Sequence, residues 1–196
     1  MLIKRFMAVK SQVGSAKHQF ALMTFVHETV WNCPITPEPE LVAKSLDQIN
    51  STEEMVSWDA DSLFDTLIEK APDAENPEYV LRVILLYFRS TPPTFTAEKA
   101  TEFCKRKACF IDTLYVHDKA SDYKELVQSV YDRLHELSES SVEGSCYIQE
   151  TSFYKKYVSL FARLLAHPLQ RKVDGYLGLE PHGGKQDDDM DVIEVL

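Results

Sequence analysis

The chain has 196 residues, 44% of them apolar and 27% charged, which is one generous globular domain and excludes a disordered chain. At this size a core buries roughly 70% of the unfolded surface, so no disulfide or metal staple is required. A net charge of -10 argues against duplex nucleic acid as a direct partner, and five of the six glycines lie at Gly144 or later, which argues against a glycine-rich phosphate cradle.

Residues 1–13 predict an amphipathic helix, with Leu2, Ile3, Phe6, Met7 and Val9 opposed to Lys4, Arg5 and Lys10, ended by Gly14 and Ser15. Residues 20–26 and 29–31 favour strands, and His27-Glu28 between them suggests a hairpin. Pro34, Pro37 and Pro39 are read as breaks before a helix over about 38–50. Asp59 or Asp61 caps the next helix, whose apolar stripe is Leu63, Phe64, Leu67 and Ile68.

Residues 79–88, Y-V-L-R-V-I-L-L-Y-F, form a near-continuous apolar run bounded by prolines, the pattern of a strand buried on both faces. Thr96 caps a helix to about 107, residues 110–116 form the next strand, and Ser121 or Asp122 opens a helix carrying Val130, Leu134 and Leu137. A short strand over 145–149 precedes a last helix from about Thr151, with Phe153, Tyr154, Tyr157, Leu160, Phe161, Leu164 and Leu165 on its apolar side, stopped by Pro168. The remainder is rich in glycine and acid, and Asp187, Asp188, Asp189, Asp191 and Glu194 stand among the last ten residues. The division expected is a domain over 1–168 and an acidic tail over 169–196, either solvated or a docking peptide anchored by Val192 and Ile193. Alternating strands and helices predict an α/β fold, a mostly parallel sheet with helices on both faces. Ligands of such a sheet sit beyond the carboxyl ends of its strands.

Groups that carry chemistry are few. Cys33, Cys104, Cys109 and Cys146 include no C-x-x-C pair, so zinc-ribbon spacing is lacking, and reduced, mostly buried thiols suit cytosol or nucleus. Bases interrupt the apolar run at the start, unlike a signal peptide, and no apolar stretch approaches the roughly 18 residues of a membrane span. His117-Asp118 follows a strand and admits a cysteine–histidine couple with Cys33 or Cys146, against the plainer reading of a polar strand end. Asp59, Asp61 and Asp65 admit a hard cation but lack the loop glycine, and acids complementing a helix N-terminus explain them better. Asp112, inside an apolar strand, must be paired or protonated. The aromatic stripe from Phe153 to Phe161 reads first as core, and Tyr154 and Tyr157 admit a partner surface beside it.

The run Leu164-Leu165-Ala166-His167-Pro168-Leu169-Gln170-Arg171 resembles the closing motif of the von Willebrand factor A-like scaffold subunits of the BRISC and ARISC (breast-cancer A complex) deubiquitinase complexes. His18-Gln19-Phe20-Ala21-Leu22, Tyr79-Val80-Leu81-Arg82-Val83-Ile84-Leu85, Phe110-Ile111-Asp112-Thr113-Leu114-Tyr115-Val116-His117 and the acidic Asp191-Val192-Ile193-Glu194-Val195 agree in order, so the resemblance spans nearly the whole chain.

The resemblance implies a von Willebrand A-like sheet and a non-catalytic scaffold in a complex that removes non-degradative ubiquitin chains through a separate metalloprotease subunit. It implies contact with a ubiquitin-conjugating-enzyme-like subunit, recruitment to DNA breaks in the nucleus and receptor deubiquitination in the cytoplasm. His167, Pro168, Leu169 and Arg171, with Tyr154, Tyr157, Val192 and Ile193, are the expected partner contacts. No cofactor and no metal are expected, because the D-x-S-x-S loop of true von Willebrand A domains is missing and Arg89-Ser90-Thr91 offers no aspartate. Such relatives carry a first, central strand ahead of the helix that begins here at Met1. Its loss predicts a sheet with a gap between the hairpin and the strand over 79–88, or one closed by pairing those flanking strands, and a chain that folds poorly unaided. The rival readings are a von Willebrand A-like ubiquitin or proteasome adaptor acting alone and a small α/β enzyme using Cys33 or Cys146 with a histidine.

Overall fold

A computed structural model describes residues 2–13, 17–50, 57–118, 123–139, 145–152, 154–170 and 191–196. In chain order the elements are α1 (Leu2–Lys10), β1 (His18–Phe25), β2 (Thr29–Thr36), α2 (Pro39–Asp47), α3 (Asp61–Glu69), β3 (Tyr79–Tyr87), α4 (Ala97–Cys104), β4 (Cys109–Val116), α5 (Lys124–Glu139), β5 (Cys146–Thr151), α6 (Tyr154–Arg163) and β6 (Asp191–Val195). They form the α/β sandwich expected, a six-stranded sheet in the order β2-β1-β6-β3-β4-β5. Only the hairpin pair β1–β2 is antiparallel; β1–β6, β6–β3, β3–β4 and β4–β5 are all parallel.

Alternation along the strands divides two cores. Leu81, Val83, Leu85 and Tyr87 of β3 face a layer made by Leu63, Phe64 and Leu67 of α3, Phe103 of α4 and Leu134 of α5. Ile84 and Leu114 face the opposite layer with Phe6 and Met7 of α1, Val42 of α2 and Phe161 of α6. Helices therefore cover both faces, as parallel strands with apolar residues on both sides require.

Four expectations are corrected. First, β2 runs through Pro34 rather than breaking there: it is an edge strand, so a residue without an N–H costs no ladder bond on its outer side, and the register shifts nearby. Second, α6 is shorter than expected: Thr151 ends β5, and beyond Arg163 the backbone tightens, with Leu164, Leu165 and Ala166 donating to residues three positions back before a short 3₁₀ turn, Pro168–Gln170. Third, Lys10 is not on a solvated face of α1 but buried.

The fourth concerns the acidic end. Asp191–Val195 is not a tail but the strand between β1 and β3, the place that the resemblance leaves vacant. Neither a gap nor a β1–β3 pairing exists there. Backbone bonds from Leu196 to Ala21 and from Met23 to Leu196 continue the ladder past its last strand residue. The backbone edges of β1 and β3 are thereby paired instead of buried unpaired. Residues 171–190, and Ser121 and Asp122, lie outside the described residues.

Candidate functional site

Three charged residues interrupt otherwise apolar strands, and the register brings them together. Arg82 stands opposite Glu194 on one side and Phe110 on the other, with Asp112 two positions further along β4. All three side chains point to the face of α1 and α6. Arg82 is 1% exposed, and Asp112 and Glu194 are fully buried. The Arg82 guanidinium donates from Nε to Asp112 Oδ2 at 2.7 Å, and its Nη2 lies 2.6 Å from the same oxygen. Its Nη1 donates to Glu194 Oε1 at 3.2 Å, and Lys10 Nζ reaches that oxygen from α1 at 3.4 Å.

Two cations and two carboxylates thus share one buried site with no net charge. Burial works against the Arg82 charge, but Asp112 and then Glu194 outweigh it and hold the guanidinium above its ordinary pKa. For Lys10 burial wins over the attraction of Glu194, and its pKa falls below the usual lysine value. Desolvating four charges makes this cluster a poor source of net stability, but removing one member leaves an uncompensated charge in the core. Within it Asp112 is the nearer partner of Arg82, and Glu194 is the carboxylate that Arg82 and Lys10 share.

The same guanidinium holds the exit of α6. Arg82 Nη1 also donates to the carbonyls of Leu164 at 2.6 Å and Ala166 at 3.2 Å. The L-L-A-H-P-L-Q stretch and the acidic end, which sequence reading singled out separately, meet at one side chain. Beyond the clamp, Leu169 N–H donates to His167 Nδ1 at 3.2 Å, turning the chain so that Pro168 is buried and Leu169 is 41% exposed. Tyr157 is half-buried, edge-on to Phe88 at 6.0 Å and beside Phe161 at 5.8 Å. Tyr154 begins α6, and Val192 and Ile193 pair through their backbones with both β1 and β3. Arg171 lies outside the described residues. Arg82, Lys10 and Glu194 were missed as members of a site, although a charge inside each apolar run was visible for Arg82 and Glu194, as it was for Asp112.

The other candidates have structural employment. The Asp112 carboxylate is paired, as a buried acid must be. Asp59 Oδ1 accepts the N–H of Asp61 at the start of α3, Asp61 Oδ1 accepts the N–H and hydroxyl of Thr96 ahead of α4, and Asp65 pairs with Lys99 at 2.6 Å. Together the acids tie α3 to α4. Among the described residues, no group of three His, Cys, Asp or Glu side chains is placed to hold a metal ion. His117 contacts the Asp118 carbonyl through Nδ1 and Glu150 Oε2 through Nε2, each at 2.7 Å, while Cys33 packs under α2 and Cys146 lies against Cys104. The histidine and the two thiols considered with it are engaged elsewhere.

At the carboxyl ends of β1, β6 and β3, where open α/β sheets take their ligands, a cleft of about 690 Å³ is walled by apolar side chains including Leu22, Phe25, Leu46 and Leu86. Arg89, which follows β3, donates from Nη2 to the Phe25 carbonyl at 2.7 Å and lies over the Phe25 ring at 4.9 Å. A guanidinium is therefore fixed just beyond those strand ends.

The fold so defined is a mixed α/β domain with a mostly parallel six-stranded sheet, consistent with the von Willebrand A-like class, and a buried ion cluster of Arg82, Asp112, Glu194 and Lys10 lies against that sheet. The chain is similar to the protein named BRISC and BRCA1-A complex member 1, with 30% identity to that of Bos taurus and 29% to that of Homo sapiens over 184 residues, and 27% to that of Xenopus laevis over 182 residues. Each alignment covers 87% of this chain and 54% of the relative, so the chain spans about half the length of the relatives it matches. No family model matches the chain.

Proposed function

We propose that this chain is a non-catalytic scaffold subunit of a multi-subunit deubiquitinase complex acting on non-degradative ubiquitin chains. The observation that carries the reading is the similarity over 87% of the chain to proteins named as members of one complex. The structure supports it in kind: the side chains that admitted catalysis are engaged in hydrogen bonds, an ion pair, a sulfur contact and core packing, while the exit of α6, held by Arg82, presents Leu169 outward. In this reading the segment His167, Pro168, Leu169 and Arg171, flanked by Tyr154 and Tyr157, contacts a ubiquitin-conjugating-enzyme-like subunit, and a metalloprotease subunit supplies the chemistry. Val192 and Ile193 serve by building the sheet on which that surface rests. The complex would act at DNA breaks in the nucleus and on receptors in the cytoplasm. The von Willebrand A-like domain of a longer relative would correspond to residues 1–168 with β6 added from the acidic end.

Co-purification tests this. The full chain, co-expressed with the ubiquitin-conjugating-enzyme-like and metalloprotease subunits, is expected to elute with both from size exclusion. Leu169→Asp is expected to lower that recovery at least tenfold with an unchanged thermal melt. A chain that stays alone in the presence of those subunits but binds purified ubiquitin chains overturns the reading in favour of a stand-alone adaptor.

A further inference from the structure

Cys104 is the last residue of α4 and Cys146 the first of β5, and their sulfurs are 3.5 Å apart. The approach is part of a built junction: the Ser145 hydroxyl donates to the Cys104 carbonyl at 3.2 Å, so adjacent residues of one segment meet the same helix end through a hydrogen bond and a sulfur contact. Cys104 is buried at 1% exposure, while Cys146 is half-buried on the edge strand of the sheet. Cys33 lies in the core of the opposite face.

We propose that Cys104 and Cys146 are a reversible oxidation site that a hydroperoxide converts to a disulfide between α4 and β5. A disulfide needs sulfurs about 2.05 Å apart, so the two, at 3.5 Å, must close by roughly 1.5 Å. The two thiols divide the work by position. The bond to Cys146, and then burial, push the Cys104 thiol well above its ordinary pKa, so it offers little thiolate to an oxidant from solvent. Cys146, the more exposed of the two residues, meets the oxidant. Its sulfur attacks the distal peroxide oxygen, the O–O bond breaks, the alcohol leaves with a proton, and Cys146 becomes a sulfenic acid. The Cys104 sulfur then attacks the sulfenic sulfur, the S–O bond breaks, and the departing hydroxide takes the Cys104 proton and leaves as water. Two thiols lose two electrons, and the hydroperoxide gains them as alcohol and water. A dithiol reductant reverses the bond. The product closes a loop 42 residues long and pins the open edge of the sheet to the helix end beside it.

The full chain, treated with hydrogen peroxide, blocked with N-ethylmaleimide and digested without reductant, is expected to yield a Cys104–Cys146 cross-linked peptide, lost on dithiothreitol treatment, while Cys33 and Cys109 carry the maleimide. In Cys104→Ser the sulfenic acid is expected to persist on Cys146 and to be trapped by dimedone. The inference is overturned if both thiols of the wild-type chain are recovered as maleimide adducts after peroxide, or if Cys146 advances to sulfinic acid with Cys104 still alkylated. The wild-type measurement decides the matter even if the variant fails to fold.

Discussion

β3 and β6 run side by side and parallel through the middle of the sheet, and their sequences have little in common. β3 is nine residues of nearly continuous apolar character, and any sheet would bury it. β6 is five residues, D-V-I-E-V, at the end of the most acidic stretch of the chain. Each turns one charged side chain toward the α1 and α6 face, and those two are Arg82 and Glu194. The difference is between a strand marked by its own apolar run and a strand whose carboxylate meets a buried cation on its neighbour. β3 is held by its apolar residues wherever it pairs, whereas β6 is suited to this slot because Arg82 and Lys10 are in it.

The strongest way to break that comparison is to remove residues 191–196. The edges of β1 and β3 then lose their shared partner, and Arg82 and Lys10 face Asp112 alone. Loss of cooperative unfolding is expected, a cost above the ~5 kcal/mol that marks exceptional single substitutions, read by urea denaturation with amide hydrogen exchange on β1 and β3. Retention of the wild-type midpoint would mean that β6 is an accessory and not a central strand.

A smaller effect separates charge from packing. Arg82→Met keeps much of the side-chain volume, leaves two buried carboxylates opposed by Lys10 only, and is expected to cost about 3–5 kcal/mol. In a double-mutant cycle with Glu194→Gln the coupling should exceed about 0.5 kcal/mol, the limit for independent sites. Additive losses would show that Glu194 does not select the slot through Arg82.

The smallest effect is a pH dependence of opposite sign at two sites. Cys109, fully buried at the start of β4, has its thiol raised by burial from 9.0 to about 12. Between those values the unfolded chain has lost a proton the native chain keeps, so the stability present below pH 9 falls by at most about 1.4 kcal/mol per pH unit, and Cys109→Ala flattens that fall. Lys10 acts in reverse. Its pKa is lowered from 10.5 by burial, so just below that value the unfolded chain binds more protons and stability rises with pH. Lys10→Met removes the rise and steepens the alkaline loss. Thermal melts from pH 8 to 11 on the two variants resolve the two slopes, and identical profiles would show that the two sites do not titrate in opposite senses.

How much could be read in advance follows from how local each cause is. The apolar runs of β3 and β4 and the stripes of α3 and α6 stand within one window of sequence. So did the pairing of Asp112, because an acid inside an apolar run requires a partner even when that partner is unknown. The course of β2 through Pro34 was not legible, since only a strand's place at the sheet edge makes proline tolerable there. The inward turn of Lys10 was hidden because a lysine on an amphipathic helix normally faces water, and only the buried Glu194 oxygen gives it a reason to turn.

By itself, the order of residues determined most of the elements, the class of sheet and the segments near the α6 exit, because periodicity and motif spacing are properties of a short stretch of chain. Tertiary structure alone decided which strand stands in the middle and which side chain holds the α6 exit. Strand pairing joins residues more than a hundred positions apart, as Arg82 and Glu194 are, and the neutralisation of a buried charge belongs to a pair and not to either residue. No local pattern marks an acidic segment as the core of a sheet until the cation that needs it is seen beside it.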